Sequence, residues 1–135
     1  MKPLLVGEAP KVSAGGGQTS RSRIVRLMAM ESDASFVWRN LFSQPQGKSG
    51  KGDAFPMKTA RARAARFHFD SDVVMLLGKR VAAAFGAKTD YFEWFDLRGS
   101  RAAIVPHPSG INRWWNDPVN VERARAFWRA ACTPN

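Results

Sequence analysis

Short apolar runs alternate along this chain with longer polar segments, and the lengths of the runs set the first reading. Pro3 to Val6 is apolar and stops at Gly7-Glu8-Ala9-Pro10. Val73-Val74-Met75-Leu76-Leu77 is apolar throughout and stops at Gly78. Ala102 to Val105 stops at Pro106-His107-Pro108. Runs of this length without polar alternation predict strands buried on both faces, as in a parallel sheet. Arg39-Asn40-Leu41-Phe42 predicts a further short strand. Phe92 to Leu97 is β-like but aromatic and precedes the turn Arg98-Gly99-Ser100. It should pair with, or lie near, the strand that leads to His107.

Helical spacing fills the intervals. Thr19, Ser20 or Ser22 can cap a helix whose apolar face is Ile24, Leu27 and Met28. Ser32 or Asp33 predicts the cap of a second short helix carrying Phe36 and Val37. Pro56 suits the first turn of a helix with the stripe Met57, Ala60, Ala64 and Phe67. Lys79 to Phe85 reads as a helix stopped by Gly86. Asp117-Pro118 caps and opens the last helix, with Val121, Ala124, Trp128 and Ala131 facing inward. Strand–turn–helix units predict an α/β protein. We expect a three-layer α/β/α domain over residues 1–135, with a short, mostly parallel four-stranded central sheet.

Charge narrows the partners. The chain carries 21 Lys and Arg against 11 Asp and Glu, a formal net charge of +10. Such an excess on a small domain favours a polyanion, and nucleic acid comes first. The single cysteine, Cys132, excludes an internal disulfide, a multi-thiolate zinc site and an Fe–S cluster held by four protein cysteines. No apolar run approaches the ~18 residues of a membrane helix, and the first run is too short for a signal peptide. A monomer in the reducing cytoplasm, associated with the nucleoid and using no cofactor or metal, is the expectation.

Several segments carry candidate chemistry. Lys11 to Ser20 contains Gly15-Gly16-Gly17, which permits close backbone approach to a ligand, but it lacks the spacing of a P-loop. Ser43 to Asp53 reads as a surface loop in which Lys48 and Lys51 can meet phosphates. Lys58, Arg61, Arg63 and Arg66 give the second long helix a basic face, either solvated or in contact with DNA. His68 at its end reads as structural or exposed. The centre of the chain is Val105 to Asn116. Pro106 and Pro108 hold His107 on a stiff backbone, where an imidazole can donate to developing negative charge. Ser109, Gly110, Ile111, Asn112 and Arg113 form the turn after it, followed by Trp114 and Trp115.

Gly7-Glu8-Ala9-Pro10 after the first strand and His107-Pro108-Ser109 after the last resemble the paired active-site motifs of the uracil-DNA glycosylase superfamily. The chain is most similar to the branch whose first motif reads Gly-Glu-Ala-Pro-Gly. Lys11 stands where that branch has its final glycine, and the branch's Fe–S cysteines are missing. Arg39-Asn40-Leu41 resembles the second-strand segment, and Val73 to Gly78 the central strand. The resemblance implies a monofunctional DNA glycosylase that hydrolyses the N-glycosidic bond of uracil, or a related deaminated base, flipped out of DNA.

Roles follow from that likeness. Glu8 would orient a water or stabilise the cationic sugar, and His107 would donate to the leaving pyrimidine. Asn40 would read the base edge, with Gly7 and Ala9 beside it. Phe36, Trp38 or Phe42 would stack on the base. Pro108 through Arg113 would meet the duplex, with Ile111 as the wedge and Arg113 on a phosphate or the opposite strand. Two other classes fit the same residues: a non-catalytic nucleic-acid binder that keeps the fold, and a small α/β module for a free nucleotide.

Overall fold

The protein is described from a computed structural model, which covers residues 2–10, 20–49, 52–109 and 112–133. In chain order the elements are β1 (Leu4–Gly7), α1 (Ser20–Leu27), β2 (Val37–Asn40), β3 (Lys48–Ser49), β4 (Gly52–Asp53), α2 (Met57–Arg66), β5 (Val73–Leu77), α3 (Lys79–Ala84), β6 (Phe95–Leu97), β7 (Ser100–Val105) and α4 (Pro118–Cys132). Among the described residues, five strands form one sheet in the order β2-β1-β5-β7-β6. β2, β1, β5 and β7 run parallel, and β6 is antiparallel to β7.

The apolar runs become strands because each is covered on both sides. Leu4, Val6, Val74, Leu76, Ala102 and Ile104 face one way, against Ala60 and Ala64 of α2 and Val81, Ala82 and Ala84 of α3. Leu5, Met75, Leu77 and Val105 face the other, against Ile24 of α1 and Ala124 and Trp128 of α4. Leu5, Val6, Met75, Leu76 and Val105 have no exposed surface. Burying side chains of this size is worth about 1.5–3 kcal/mol each, which is why so short a sheet can hold four helices. The result is an α/β fold with helices on both faces of a mixed sheet.

Local signals set the helix ends. Asp117 accepts from the Val119 amide at 2.9 Å, with Pro118 at the first helical position. Gly86 takes φ +77 just past α3, where its amide bonds to the Ala83 carbonyl.

Five expectations are corrected. The sheet has five strands rather than four, because Arg98 and Gly99, at φ +55 and +84, make a tight hairpin that folds β6 back onto β7. The β-like run from Phe92 is shorter than expected, because Phe92 takes φ +66 and pairing begins only at Phe95. The predicted helix around Phe36 and Val37 is a single 3-10 turn, Asp33–Ser35. Ser32 Oγ caps it by accepting from the Ala34 amide at 3.1 Å, and Phe36 is already extended. The second strand therefore starts at Val37 and ends at Asn40, earlier than the expected Arg39 to Phe42. Within the predicted surface loop from Ser43 to Asp53, β3 and β4 pair as a small antiparallel hairpin.

The chain passes from β1 to β2 on one side, then crosses to β5 on the other side of β1. The sheet thus has its topological switch between β1 and β5, the place where open α/β sheets leave a crevice at their carboxyl edge. Glu8 emerges at the edge of that crevice.

Candidate functional site

Register fixes what meets at this edge. Val6 pairs with Leu76, and Leu76 pairs with Ile104. Two residues on, Glu8 stands level with Gly78 on one side of β5, and Pro106 and His107 rise on the other. One strand separates the two chains, so their backbones are about 10 Å apart by the usual inter-strand spacing.

The segment after β5 touches both. A methyl group at Gly78 would stand 3.1 Å from the His107 Cβ, so His107 packs directly over this glycine. Gly78 takes φ +96, a conformation few side chains tolerate, and its amide donates to the Val105 carbonyl at 2.7 Å. Two residues later, Arg80 holds Glu8. Its Nε donates to Oε2 at 3.0 Å and its Nη2 to Oε1 at 2.5 Å. This is the two-pronged arrangement that fixes a carboxylate most rigidly. The Glu8 side chain is only 14% exposed. The Arg80 guanidinium also lies over the Phe55 ring, 5.0 Å from its centroid. Backbone bonds complete the frame, since the Gly7 and Glu8 carbonyls accept from the Leu41 and Phe42 amides.

Asn40 is held from the other side of β1. Trp38 Nε1 donates to Asn40 Oδ1 at 3.0 Å. An indole can only donate, so the amide oxygen must face Trp38 and Nδ2 must point away. Gly7 makes room for this pair: a Cβ there would lie 2.6 Å from both Asn40 Oδ1 and Trp38 Cζ2. Gly7 and Asn40 are partners in the β1–β2 register. Trp38 packs with the Leu5 cluster and Phe55 with the Val6 cluster.

The loop after His107 is tied down by its own residues. The His107 carbonyl accepts from Asn112 Nδ2 at 2.8 Å and from Trp115 Nε1 at 2.9 Å. Asn112 Oδ1 accepts from the Trp114 amide at 3.1 Å, capping the 3-10 turn Arg113–Asn116. Trp115 is buried, and Trp114 meets it edge-on at 4.8 Å. Pro108 is buried, Ser109 is half-buried and Arg113 is exposed. Asn112, expected on DNA, is here a loop anchor. Gly110, Ile111, Lys51 and the glycine-rich segment from Lys11 to Thr19 lie outside the described residues, as does the side chain of Lys48.

Two of the residues expected to stack on a base have core positions. Phe36 is 2% and Phe42 1% exposed. Phe42 packs edge-on against Phe55 at 5.5 Å, and its ring also lies beneath Arg63. Neither offers an open ring face. Trp38, Phe55 and Ala9 are half-buried. Arg80 and Phe55 had no sequence signal as site residues, because what marks them is contact across the fold: Arg80 meets Glu8 from 72 positions away.

Among the described residues, no cluster of three or more His, Cys, Asp or Glu is placed to hold a metal ion, and no helix is long and apolar enough to cross a membrane. No protein-family model matches the chain, and no curated protein matches it.

Proposed function

We propose that this protein is a DNA glycosylase of uracil-DNA glycosylase type, which hydrolyses the N-glycosidic bond of uracil or a related deaminated base. The supporting observation is the presence of Glu8 and His107 at one sheet edge, on either side of the Gly78–Arg80 segment. Cleavage of the base–sugar bond develops positive charge on the sugar and negative charge on the leaving base. A carboxylate on one side and an imidazole donor on the other suit that division.

In this reading Glu8 orients the attacking water. Each of its oxygens accepts from Arg80 and keeps a further lone pair for a water proton. The ion pair is less suited to offsetting cationic charge on the sugar, because Arg80 already balances the carboxylate. His107 donates to a carbonyl oxygen of the departing pyrimidine. Asn40 Nδ2 donates to the base edge, while the second lone pair of Oδ1 accepts its N–H, in an orientation set by Trp38. Stacking falls to a half-buried ring at the edge, Phe55 or Trp38. Ser109 to Ile111 and Arg113, with Lys48 and Lys51, meet the DNA, while the buried Pro108 and the anchor Asn112 support the loop. No cofactor enters the scheme.

The non-catalytic alternative has one observation in its favour: both oxygens of Glu8 are engaged by Arg80. A duplex oligonucleotide with one uracil separates the two. The glycosylase releases uracil and leaves an alkali-labile abasic site, and Glu8→Ala and His107→Ala each cut turnover by about 100-fold or more without weakening DNA binding. Absence of base release from uracil, hypoxanthine, xanthine and mismatched-thymine substrates, with DNA binding intact, assigns the binder.

A further inference from the structure

A groove of about 580 Å³ runs between β2, an edge strand of the sheet, and α2. Arg39 lines it from the strand, Arg63 and Arg66 from the helix, with Thr59, Ser43 and Phe67 between them. Its lining contains no Asp or Glu. Asn40, a residue of the candidate site, also lines it.

The cations are arranged rather than scattered. The Arg39 guanidinium lies over Phe67, 4.1 Å from the ring centroid, and its Nη1 donates to the His68 carbonyl at 2.6 Å. Arg63 sits over Phe42, 5.4 Å from the centroid. No carboxylate among the described residues pairs with Arg63 or Arg66. By contrast, Arg21, Arg80 and Arg129 each have an acidic partner. α2 turns Thr59, Arg63 and Arg66 towards the groove, while Lys58 and Arg61 project elsewhere. Guanidinium groups held on aromatic rings keep their outer N–H donors aimed at a ligand and lose little freedom on binding. One arginine on the strand side, two on the helix side, aromatic rings under two of the three and no acid suit a chain of phosphates.

We infer that this groove binds the sugar-phosphate backbone of one nucleic-acid strand and leads it to the Asn40 end of the sheet edge. The inference rests on the nucleic-acid reading above but not on base cleavage. It adds to the interface a surface, α2 with Arg39, distinct from the loops after β1 and β7. A groove walled by a strand and a helix admits one backbone, so an unpaired strand should bind at least as tightly as a duplex of the same length.

The test uses the full chain, a fluorescent undamaged thymine dodecamer and the matching duplex, titrated across salt concentrations. Arg63→Gln with Arg66→Gln should weaken binding of the single strand about 10-fold or more at low salt. It should also flatten the slope of log K against log salt by about 1.4, the loss of two phosphate contacts. Lys58→Gln with Arg61→Gln removes the same charge from the same helix outside the groove and should change both quantities much less. Equal losses in the two double variants, or none in either, overturn the inference. Displacement of the strand by poly-glutamate of matched charge as readily as by unlabelled strand also overturns it, because the groove would then be a general anion site. Base release with unchanged groove-variant binding would sink the groove and spare the glycosylase. Groove-dependent binding without base release would do the reverse.

Discussion

Arg80 grips both oxygens of Glu8 from the first turn of α3, with Nε on Oε2 at 3.0 Å and Nη2 on Oε1 at 2.5 Å. The two residues leave neighbouring parallel strands at the same edge, so strand pairing itself brings them together. If Glu8 orients a water, Arg80 is a positioning residue. Arg80→Gln should then lower single-turnover base release by roughly 10-fold with little change in DNA affinity, and Arg80→Lys, which keeps the charge but loses the fork, should recover part of it. Because Arg80 is 46% exposed, the stability cost should stay below about 1 kcal/mol in a urea titration. An Arg80→Gln protein with full turnover would remove this contact from the chemistry.

Gly7 supports a second prediction. A Cβ at this position would lie 2.6 Å from Asn40 Oδ1 and from the Trp38 ring. Gly7 is buried at the end of β1, paired with Asn40, and its carbonyl accepts from the Leu41 amide, so the backbone cannot easily yield. Gly7→Ala should therefore destabilise the fold by about 1–3 kcal/mol, the usual cost of overpacking. It should also break the Trp38–Asn40 bond, which an altered indole N–H resonance of Trp38 would report. An unshifted resonance would mean that the strand moves instead of the side chains.

The central strands were legible because a buried parallel strand writes itself as an unbroken apolar run; Val73 to Leu77 is the clearest case. Helix ends were legible where one residue sets them, as Asp117 and Gly86 do. The β-like run before Arg98-Gly99 was legible, and so was its place beside the last strand, but its start at Phe95 and its membership of the main sheet as a fifth strand were not, because the aromatic residues before it look the same in sequence. Phe36 and Phe42 look the same in sequence whether they line a pocket or fill the core, and packing put them in the core. The Glu8 and His107 motifs were visible as strand-end residues. Arg80, Phe55 and the α2 groove depend on contacts between distant segments, which no local pattern encodes.

Gly78 predicts a coupling between backbone strain and the histidine loop. At φ +96 it occupies a region that L side chains avoid, and His107 Cβ would stand 3.1 Å from any added methyl. Gly78→Ala should cost about 1–3 kcal/mol in strain and push His107 from its seat. The expected signature is a lowered thermal midpoint together with a shifted His107 ring resonance. Loss of stability without movement of that resonance would place the strain in α3 instead.

Asn112 and Trp115 both donate to the His107 carbonyl, and they can be separated. Trp115→Phe keeps one buried aromatic ring but drops the hydrogen bond and leaves a small cavity where the pyrrole ring was, so it should cost about 1–3 kcal/mol. Asn112→Ala loses that bond and also the cap on the Trp114 amide, and should cost about 1–2 kcal/mol. Under the proposed function, both should reduce base release more than DNA affinity, because they loosen the loop that aims His107. Equal losses in both quantities would identify the loop as a DNA contact only.

Tyr91 is the single tyrosine in the chain, which makes an alkaline titration unambiguous. Its ring packs edge-on against Trp114 at 5.8 Å, and its backbone bridges to Ile104 of β7. Burial pushes its hydroxyl above the ordinary phenol value of 10.0. The folded protein then holds this proton at a pH where the unfolded chain has released it. The stabilising contribution is fully present below the unfolded pKa of about 10 and is lost as pH rises through the folded value. Phenolate absorbance should therefore appear later in the folded protein than in urea. Urea unfolding followed from pH 9 to 11 should fall more steeply for the native chain than for Tyr91→Phe, which has no proton to lose. Coincident phenolate titrations in folded and unfolded protein would show that Tyr91 is open to water, and would undo the packing assigned to the Tyr91–Trp114 contact beside the His107 loop.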